Sequence, residues 1–211
     1  MKLALPAAGR LKPNNEHDPL PNYYRPLLGW LYRKRLQMAL DLVPPGGTRV
    51  LEVGVGSGIL VPTLTARFPV YTGADLVLSD GLLPLVAPGC QGHFVRADLL
   101  VEADLPDAAF DTVLCLSVLE HLRNVDGAAA ALARVLVRGG TLVAGYPMVN
   151  RLMAGLFRTI GFHNIEAHHV ATPAAIDRAL HQVLRRVGRK ALPPFAPVSL
   201  ALYQCTAWVK D

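Results

Sequence analysis

The sequence predicts an α/β fold built on a Rossmann-like, doubly wound and mostly parallel sheet. Three observations support this fold class: apolar, β-rich runs alternate with helical patterns over residues 48–146, a glycine-rich turn follows the first run, and the last segment alternates as a strand does. Strands and helices that alternate at this spacing are typical of a parallel sheet covered on both faces. The chain of 211 residues, 52% of them hydrophobic, is long enough for one such domain.

The first 47 residues predict an irregular arm followed by a helix. Residues 1–21 are rich in proline, asparagine and charged side chains, which favour irregular structure. Over residues 23–43, leucines recur at helical spacing until the run Pro44-Pro45-Gly46-Gly47 ends the pattern. We therefore predict an N-terminal arm and helix at 1–47 and the main domain at 48–211.

Six strand patterns and four helix patterns follow in the main domain. The strands are predicted at 48–53, 70–75, 91–97, 110–116, 140–146 and 199–209, and the helices at 59–68, 79–87, 125–137 and 173–187. A strand-like tail after an alternating series indicates that an antiparallel strand is added to a mostly parallel sheet.

Residues 148–170 interrupt this alternation and predict a helical insertion after the fifth strand. Apolar residues recur there at helical spacing from Val149 to Ile160. Three interpretations stay open: a helix packed on the core, a lid over an apolar acceptor, or a helix that contacts a membrane surface. Met153 and Phe157 lie on this apolar stripe and are candidate substrate contacts.

The composition indicates a cytoplasmic protein with neither a disulfide framework nor a metal site. Its three cysteines are widely separated and lack a C-x-x-C spacing, and neither a cleaved signal nor a membrane span is evident. Lysine and arginine number 21 against 16 acids, and they cluster at 33–35 and 185–190. These clusters indicate either solvated helix faces or a contact with RNA or anionic lipid.

Glycines occupy alternate positions directly after the first strand, in the run VLEVGVGSG. In an open α/β sheet this turn faces the ligand crevice, and Gly54 and Gly56 would let a ligand approach the main chain without a Cβ in the way. A dinucleotide fingerprint would require a third glycine at position 59, which is Ile59. Asp75 and Asp98 follow the second and third strands, so acids at successive strand ends indicate a nucleoside-like ligand.

Four motifs carry a family resemblance through their order and spacing. They are VLEVGVGSG, YTGADLVLSDGLL, FVRADLLVEADLPDAAFDTVLCLSVLEHL and LARVLVRGGTLVAGYP, within residues 49–147. Together they resemble the class I S-adenosylmethionine-dependent methyltransferases, in the branch that acts on small molecules and lipid head groups. The resemblance implies a seven-stranded sheet with an antiparallel last strand. It also implies S-adenosylmethionine as the cofactor and S-adenosylhomocysteine as the product.

The resemblance further implies ten cofactor-binding residues at the ends of four strands. Those around the methionine part are Glu52, Gly54, Gly56 and Gly58. Those around the adenosine are Asp75 and Leu76 at the ribose and Asp98 and Leu99 at the adenine. Leu116 and Ser117 would line the sulfonium.

The predicted function is methyl transfer to a small-molecule or lipid-like acceptor, at oxygen. The fourth strand is followed by Leu116-Ser117-Val118-Leu119, without the N/D-P-P-Y/F run of enzymes that methylate amino groups of bases or glutamine. Its absence leaves oxygen, amine, thiol and activated-carbon acceptors open. A hydroxyl acceptor is helped by a general base, for which histidine is the most common side chain. His121, His168 and His169 are therefore the candidate catalytic residues.

Two alternatives to this function stay open. The basic excess permits an rRNA or tRNA methyltransferase, and the fold alone permits a non-catalytic regulatory or binding subunit. Tyr23 and Tyr24 precede the first helix, where N-terminal arms of this family often fold over the cofactor carboxylate, and they are candidate substrate contacts. A peripheral membrane contact is compatible with the sequence, as are a monomer and a homodimer.

Overall fold

Alternating strands and helices build a single seven-stranded sheet in the computed structural model, which describes residues 1–15, 18–101, 104–148, 170–194 and 200–211. The strands are β1 Arg49–Val53, β2 Val70–Asp75, β3 Gln91–Arg96, β4 Phe110–Leu116, β5 Leu136–Pro147, β6 Arg185–Leu192 and β7 Tyr203–Val209. The helices are α1 Pro26–Leu40, α2 Val61–Thr65, α3 Val125–Val135 and α4 Pro173–Val183. Among the described residues, no helix combines the length and the apolarity needed to cross a membrane.

The order of the strands is β3-β2-β1-β4-β5-β7-β6. Strands β1 to β5 pair in parallel, whereas β7 runs antiparallel to both of its neighbours, β5 and β6. This is the predicted doubly wound sheet with an antiparallel last strand, and the fold class is confirmed. Because the order reverses direction at β1, a crevice opens where β1 and β4 end.

Apolar side chains of the central strands point alternately to the two faces of the sheet, as the two-residue period of a strand requires. On one face, Leu114 of β4 and Val143 of β5 belong to the same apolar cluster as Leu40 of α1. On the other face, Val113 belongs to the cluster of Leu132 from α3. All five side chains are fully buried, so the sheet is covered on both sides.

The predicted helix at 173–187 is wrong beyond α4, because the chain turns there into β6. This strand lies at the edge of the sheet, and half of its residues are exposed, so it lacks the apolar alternation that marks a buried strand. Its charges find partners on neighbouring elements: Arg186 pairs with Asp177 at 2.9 Å, and Lys190 pairs with Asp41 at 2.8 Å. Charged residues on an edge strand oppose pairing with further strands.

Two other predicted helices are shorter than their patterns. The one at 59–68 is reduced to α2, and the one at 79–87 is a single 3₁₀ turn at Leu83–Leu85. Gly81, just before this turn, has a φ of +83°, a left-handed conformation that a helix does not continue. The predicted helical insertion at 148–170 lies, apart from its two ends, outside the described residues.

The N-terminal arm is irregular, as predicted, but it is bound to the domain along its length. The backbone N–H of Leu3 donates to Gln37 Oε1 of α1, and that of Ala4 donates to Thr63 Oγ1 of α2, both at 2.9 Å. Leu11 is buried in the cluster between these helices and the sheet. Farther along the arm, Asn14 Nδ2 donates to the carbonyl of Val77 at 3.4 Å, so the arm reaches the loop after β2.

Candidate functional site

A cleft with a volume of about 480 Å³ opens at the carboxyl ends of β1, β2 and β4. It is lined by the glycine turn after β1, by the loops after β2 and β4, by the end of the N-terminal arm and by α1. The cleft thus lies at the point where the strand order reverses, which is where open α/β sheets bind their ligands. Its volume is within the range of small-molecule and cofactor sites.

The glycines of the turn have different structural roles. Gly54 has a φ of +81°, and a Cβ at this position would lie 2.3 Å from Val118 Cγ2, so no larger residue fits without displacement. Gly56 has a φ of +56° and faces the cleft. Gly58 is not among the lining residues, and a Cβ there would meet Leu82 Cδ2 at 2.6 Å. Two glycines therefore shape the cleft, whereas the third allows close packing behind it.

The carboxylate of Asp75 is fixed at the end of β2 by two backbone groups. Its Oδ2 accepts a hydrogen bond from the N–H of Gly56 at 2.8 Å, and its Oδ1 accepts one from the N–H of Val77 at 3.2 Å. A carboxylate can accept about four hydrogen bonds, so positions remain for two hydroxyl groups of a ligand. Asp98 is held in a similar way, because its Oδ1 accepts from the N–H of Leu100 at 2.9 Å.

Glu52 is a buried acid at the bottom of the cleft, with 4% of its surface exposed. The hydroxyl of Tyr71 donates to Glu52 Oε2 at 2.6 Å. Burial raises the pKa of Glu52 to about 8, although the hydrogen bond from Tyr71 opposes the rise, and the nearby charge of Asp75 adds to it. A cation bound in the cleft would favour the ionised form of this carboxyl group.

Replacing Glu52 with glutamine is expected to stabilise the free protein at pH values near neutral and above. The folded-state pKa, about 8, lies above the ordinary value of 4.5, so the unfolded chain releases its proton where the folded protein retains it. Glu52 therefore weakens folding progressively from about pH 4.5 to about pH 8. Melting curves should show the Glu52→Gln variant several degrees more stable at about pH 8, with a much smaller difference at about pH 5. An equal difference in melting temperature at both pH values would show that the ionisation of Glu52 is not its cause.

The floor of the cleft at the end of β4 is formed by Leu116 and Ser117. Ser117 has a φ of +57°, which is rare for a residue with a side chain, and its N–H donates to the carbonyl of Gly145 at 2.7 Å. Its hydroxyl lies 3.0 Å from the hydroxyl of Tyr203, the first residue of β7. His121 also lines the cleft and is exposed.

Arg35 enters the cleft from α1, although in the sequence it stands out only as a member of a basic cluster. Its Cζ lies 4.2 Å from the centre of the Tyr32 ring, and its Nη2 donates to the hydroxyl of Tyr23 at 3.0 Å. Its Nε is buried without a hydrogen-bond partner, and no carboxylate of the described residues forms an ion pair with it. Helical spacing offered a signal, because Arg35 stands four residues before Ala39, which is fully buried.

Glu120 is a buried residue that is not among the predicted site residues. Its Oε2 has no hydrogen-bond partner within the described part of the chain, and burial raises its pKa to about 7. The charge of Arg35 and a hydrogen bond to the backbone of Glu120 itself oppose this rise. The carbonyl of Glu120 accepts from the N–H groups of Val170 and Ala171, at 2.8 and 3.0 Å. The backbone of Glu120 thereby holds the two residues that lie shortly before α4.

The predicted site residues divide into three groups. Those that line the cleft are Glu52, Gly54, Gly56, Asp75, Leu76, Asp98, Leu99, Leu116, Ser117, His121 and Tyr23. Gly58 and Tyr24 do not line it, and the hydroxyl of Tyr24 instead donates to the carbonyl of Pro6 at 2.9 Å. The predicted substrate contacts Met153 and Phe157 and the candidate bases His168 and His169 lie outside the described residues.

Residues 51–144 match the family described as the methyltransferase domain. The chain is 32% identical over 135 residues to the ubiquinone biosynthesis O-methyltransferase of Paracidovorax citrulli (strain AAC00-1). The aligned segment covers 61% of this chain and 50% of that protein. It is 31% identical over 131 residues to the protein of the same name from Dechloromonas aromatica (strain RCB). This alignment covers 61% of this chain and 53% of that protein. The chain spans about half the length of these relatives.

Among solved structures, the fold is similar to that of the N-methyltransferase NodS from Bradyrhizobium japonicum WM9 in complex with S-adenosyl-L-homocysteine. The TM-score is 0.63 at 17% identity, and the match covers 94% of both chains. The cyclase SpnF is similar to the same degree, with a TM-score of 0.63 at 16% identity over 89% of this chain and 84% of that one. At these identities the likeness concerns the fold alone.

Proposed function

We propose that the chain transfers a methyl group from S-adenosylmethionine to an oxygen atom of a small-molecule or lipid-like acceptor, because residues 51–144 match the methyltransferase-domain family. The oxygen and the small-molecule class are supported by the ubiquinone O-methyltransferases, with which the chain shares about a third of the aligned residues. S-adenosylmethionine as the methyl donor is supported by the charged side chains that line the cleft.

The observation that carries the proposal is the distribution of charge in the cleft. Asp75 and Asp98 lie toward the ends of β2 and β3, where they can accept hydrogen bonds from ribose hydroxyls and from an adenine amino group. The guanidinium of Arg35 enters from α1 and has no ion-pair partner within the described part of the chain. A partly buried cation whose Nε has no hydrogen-bond partner favours an anionic ligand, and the carboxylate of the cofactor's methionine part would supply it.

The cofactor, when bound, supplies an electrophilic methyl group on a sulfonium. The chain itself has to bind, orient and exclude water, and such alignment can account for about 7 to 11 kcal/mol of a reaction barrier. Leu116 and Ser117 form the floor where the sulfonium would lie. His121, at the rim of the same cleft, is our candidate for the group that accepts the proton of the acceptor hydroxyl.

The arrangement of the basic residues favours a small acceptor over RNA. In the second cluster, Arg185 pairs with Asp211, as Arg186 and Lys190 do with acids of neighbouring elements. In the first cluster, Arg35 points into the cleft, and Arg33 donates to the carbonyl of Tyr23 at 2.6 Å. Affinity for RNA depends on lysine and arginine that remain available to phosphates.

Calorimetry with two ligands tests the cofactor proposal. The wild-type chain is expected to bind S-adenosylhomocysteine, and Arg35→Met is expected to weaken that binding by about 10- to 100-fold, because a hydrogen-bonded ion pair is lost. The same variant should bind 5′-methylthioadenosine, which lacks the carboxylate, as the wild type does. Absence of binding of both ligands by the wild-type chain would contradict the proposed donor.

The acceptor is tested by incubating a cell extract with the protein and S-adenosylmethionine that carries a deuterated methyl group. Mass spectrometry is expected to find the label on oxygen in the small-molecule or lipid fraction, and the Asp75→Ala variant serves as the control. Label in the RNA fraction would favour the RNA alternative. A protein that binds the donor but labels no fraction would point to a non-catalytic role.

A further inference from the structure

Tyr203 contacts two separate parts of the cleft although it belongs to the antiparallel strand at the far side of the sheet. Its ring centre lies 5.4 Å from Cζ of Arg35, and its hydroxyl lies 3.0 Å from Ser117 Oγ. It is buried, with 5% of its surface exposed, and it lines the cleft. We propose that Tyr203 is a positioning residue that places Arg35 with its ring and Ser117 with its hydroxyl. The proposal rests on the proposed function, in which these two residues contact opposite ends of the methionine part of the cofactor.

The contact with Arg35 belongs to a cage of three aromatic rings. Tyr32, Tyr203 and Tyr23 surround the guanidinium, with ring centres at 4.2, 5.4 and 5.6 Å from its Cζ. Aromatic faces attract a cation and do not neutralise its charge, so the guanidinium stays available to an anionic ligand. Tyr32 lies in α1, as Arg35 does, and Tyr23 lies in the turn before this helix. Tyr203 lies in β7 and is therefore the member of the cage that fixes Arg35 relative to the sheet.

The contact with Ser117 stabilises an unusual backbone conformation. Ser117 and Ala108 are the residues other than glycine with a positive φ in the described part of the chain. Such a conformation is unfavourable for a residue with a Cβ, and it persists where surrounding contacts hold it. The hydroxyl of Tyr203 provides one such contact from the side chain, and the carbonyl of Gly145 provides another from the backbone.

The neighbourhood of Tyr203 is shaped to admit its hydroxyl. A Cβ at Gly145 would lie 2.8 Å from the hydroxyl oxygen of Tyr203 and 3.1 Å from its Cε1. The ring therefore fits against β5 because residue 145 is a glycine. The hydroxyl of Tyr203 also lies within hydrogen-bond distance of Ser117, a contact that a residue serving only to fill the space would not make. Burial also raises the pKa of Tyr203, so its hydroxyl stays protonated and can donate to or accept from Ser117.

Calorimetry of the full chain tests the role of the ring. Tyr203→Leu is expected to weaken the binding of S-adenosylhomocysteine about 10-fold, the scale of a desolvated cation–π contact, and to leave 5′-methylthioadenosine binding unchanged. In the Arg35→Met background the same change should have no further effect. Equal losses for the two ligands would show a general defect of the cleft and overturn the positioning role.

The hydroxyl is tested by Tyr203→Phe, which keeps the ring and decides the inference even if the leucine variant fails to fold. S-adenosylmethionine and S-adenosylhomocysteine differ only at the sulfur, so the ratio of their affinities reports on the groups that line it. We expect Tyr203→Phe to retain S-adenosylhomocysteine binding within about twofold and to change this ratio by about 3- to 10-fold. Ser117→Ala should reproduce the change, and the double variant should add nothing.

The failure of this inference is distinguishable from failure of the proposed function. If the wild-type chain binds neither S-adenosylhomocysteine nor 5′-methylthioadenosine, both proposals are wrong. If the wild type binds both ligands and Tyr203→Phe has the same affinity ratio as the wild type, the proposed function stands and the positioning role of Tyr203 is wrong.

Discussion

Replacing Asp75 with alanine is expected to weaken the binding of S-adenosylhomocysteine by about 100-fold or more. The carboxylate would accept two hydroxyl groups of the ribose, and a hydrogen bond to a charged group contributes about 1.5 to 3 kcal/mol. The change also removes the acceptor for the N–H of Gly56, which holds the glycine turn against β2 at 2.8 Å. Calorimetry measures the loss, and methyl transfer to any acceptor should fall with it.

Two further variants separate the causes of this loss. Asp75→Asn retains an oxygen for the N–H of Gly56 but lacks the negative charge, so we expect it to lie between the wild type and Asp75→Ala. Asp80→Ala removes an acid from the same loop that is exposed and does not line the cleft, so it should bind as the wild type does. If Asp75→Ala binds as tightly as Asp80→Ala, the ribose contact is wrong.

Replacing Gly54 with alanine is expected to abolish cofactor binding at micromolar concentrations and to lower the melting temperature. The new Cβ would lie 2.3 Å from Val118 Cγ2, so either the turn or the start of the loop after β4 must move. The positive φ of +81° adds a backbone penalty of about 1 to 2 kcal/mol for a residue with a Cβ. Both the steric clash and the backbone penalty act on residues that line the cleft.

Gly46 provides a matched control for the backbone penalty. Its φ is +86°, and nothing lies within 4 Å of an added Cβ, so Gly46→Ala should lower stability only modestly and leave cofactor affinity unchanged. The steric effect is tested by the double variant Gly54→Ala with Val118→Ala, which removes Cγ2 and should recover most of the lost affinity relative to Val118→Ala alone. A double variant as impaired as Gly54→Ala would place the defect in the backbone of the turn.

The central strands and the family could be predicted because their signals are local. The predicted strands at 70–75 and 110–116 coincide with β2 and β4, since each is a short apolar run with clear ends. The glycine turn and the acids after β2 and β3 follow these runs at fixed spacing, and they lie within residues 51–144, which match the methyltransferase-domain family. Patterns within one element are therefore sufficient to predict the central strands, the glycine turn and the acids at the strand ends.

The edge strand β6 shows where local patterns fail. Its residues RRVGRKAL follow a helix without a break, and their charges are typical of an exposed helix end as much as of a strand. The chain adopts a strand there because β7, which is itself held by β5, offers a free edge for pairing. Propensity in the segment is weak, so the tertiary environment decides its conformation.

Local sequence patterns were sufficient to predict the doubly wound sheet, the glycine turn and the acids at the strand ends, because the conformation of strands and turns depends mainly on neighbouring residues. The position of Arg35 in the cleft and the contacts of Tyr203 with both Arg35 and Ser117 depend instead on the tertiary structure. These contacts join α1, the loop after β4 and β7. Arg35, Ser117 and Tyr203 stand 82 to 168 positions from one another along the chain, as the differences in their numbers show. No periodicity within an element reports such contacts, because they depend on how the folded elements pack together.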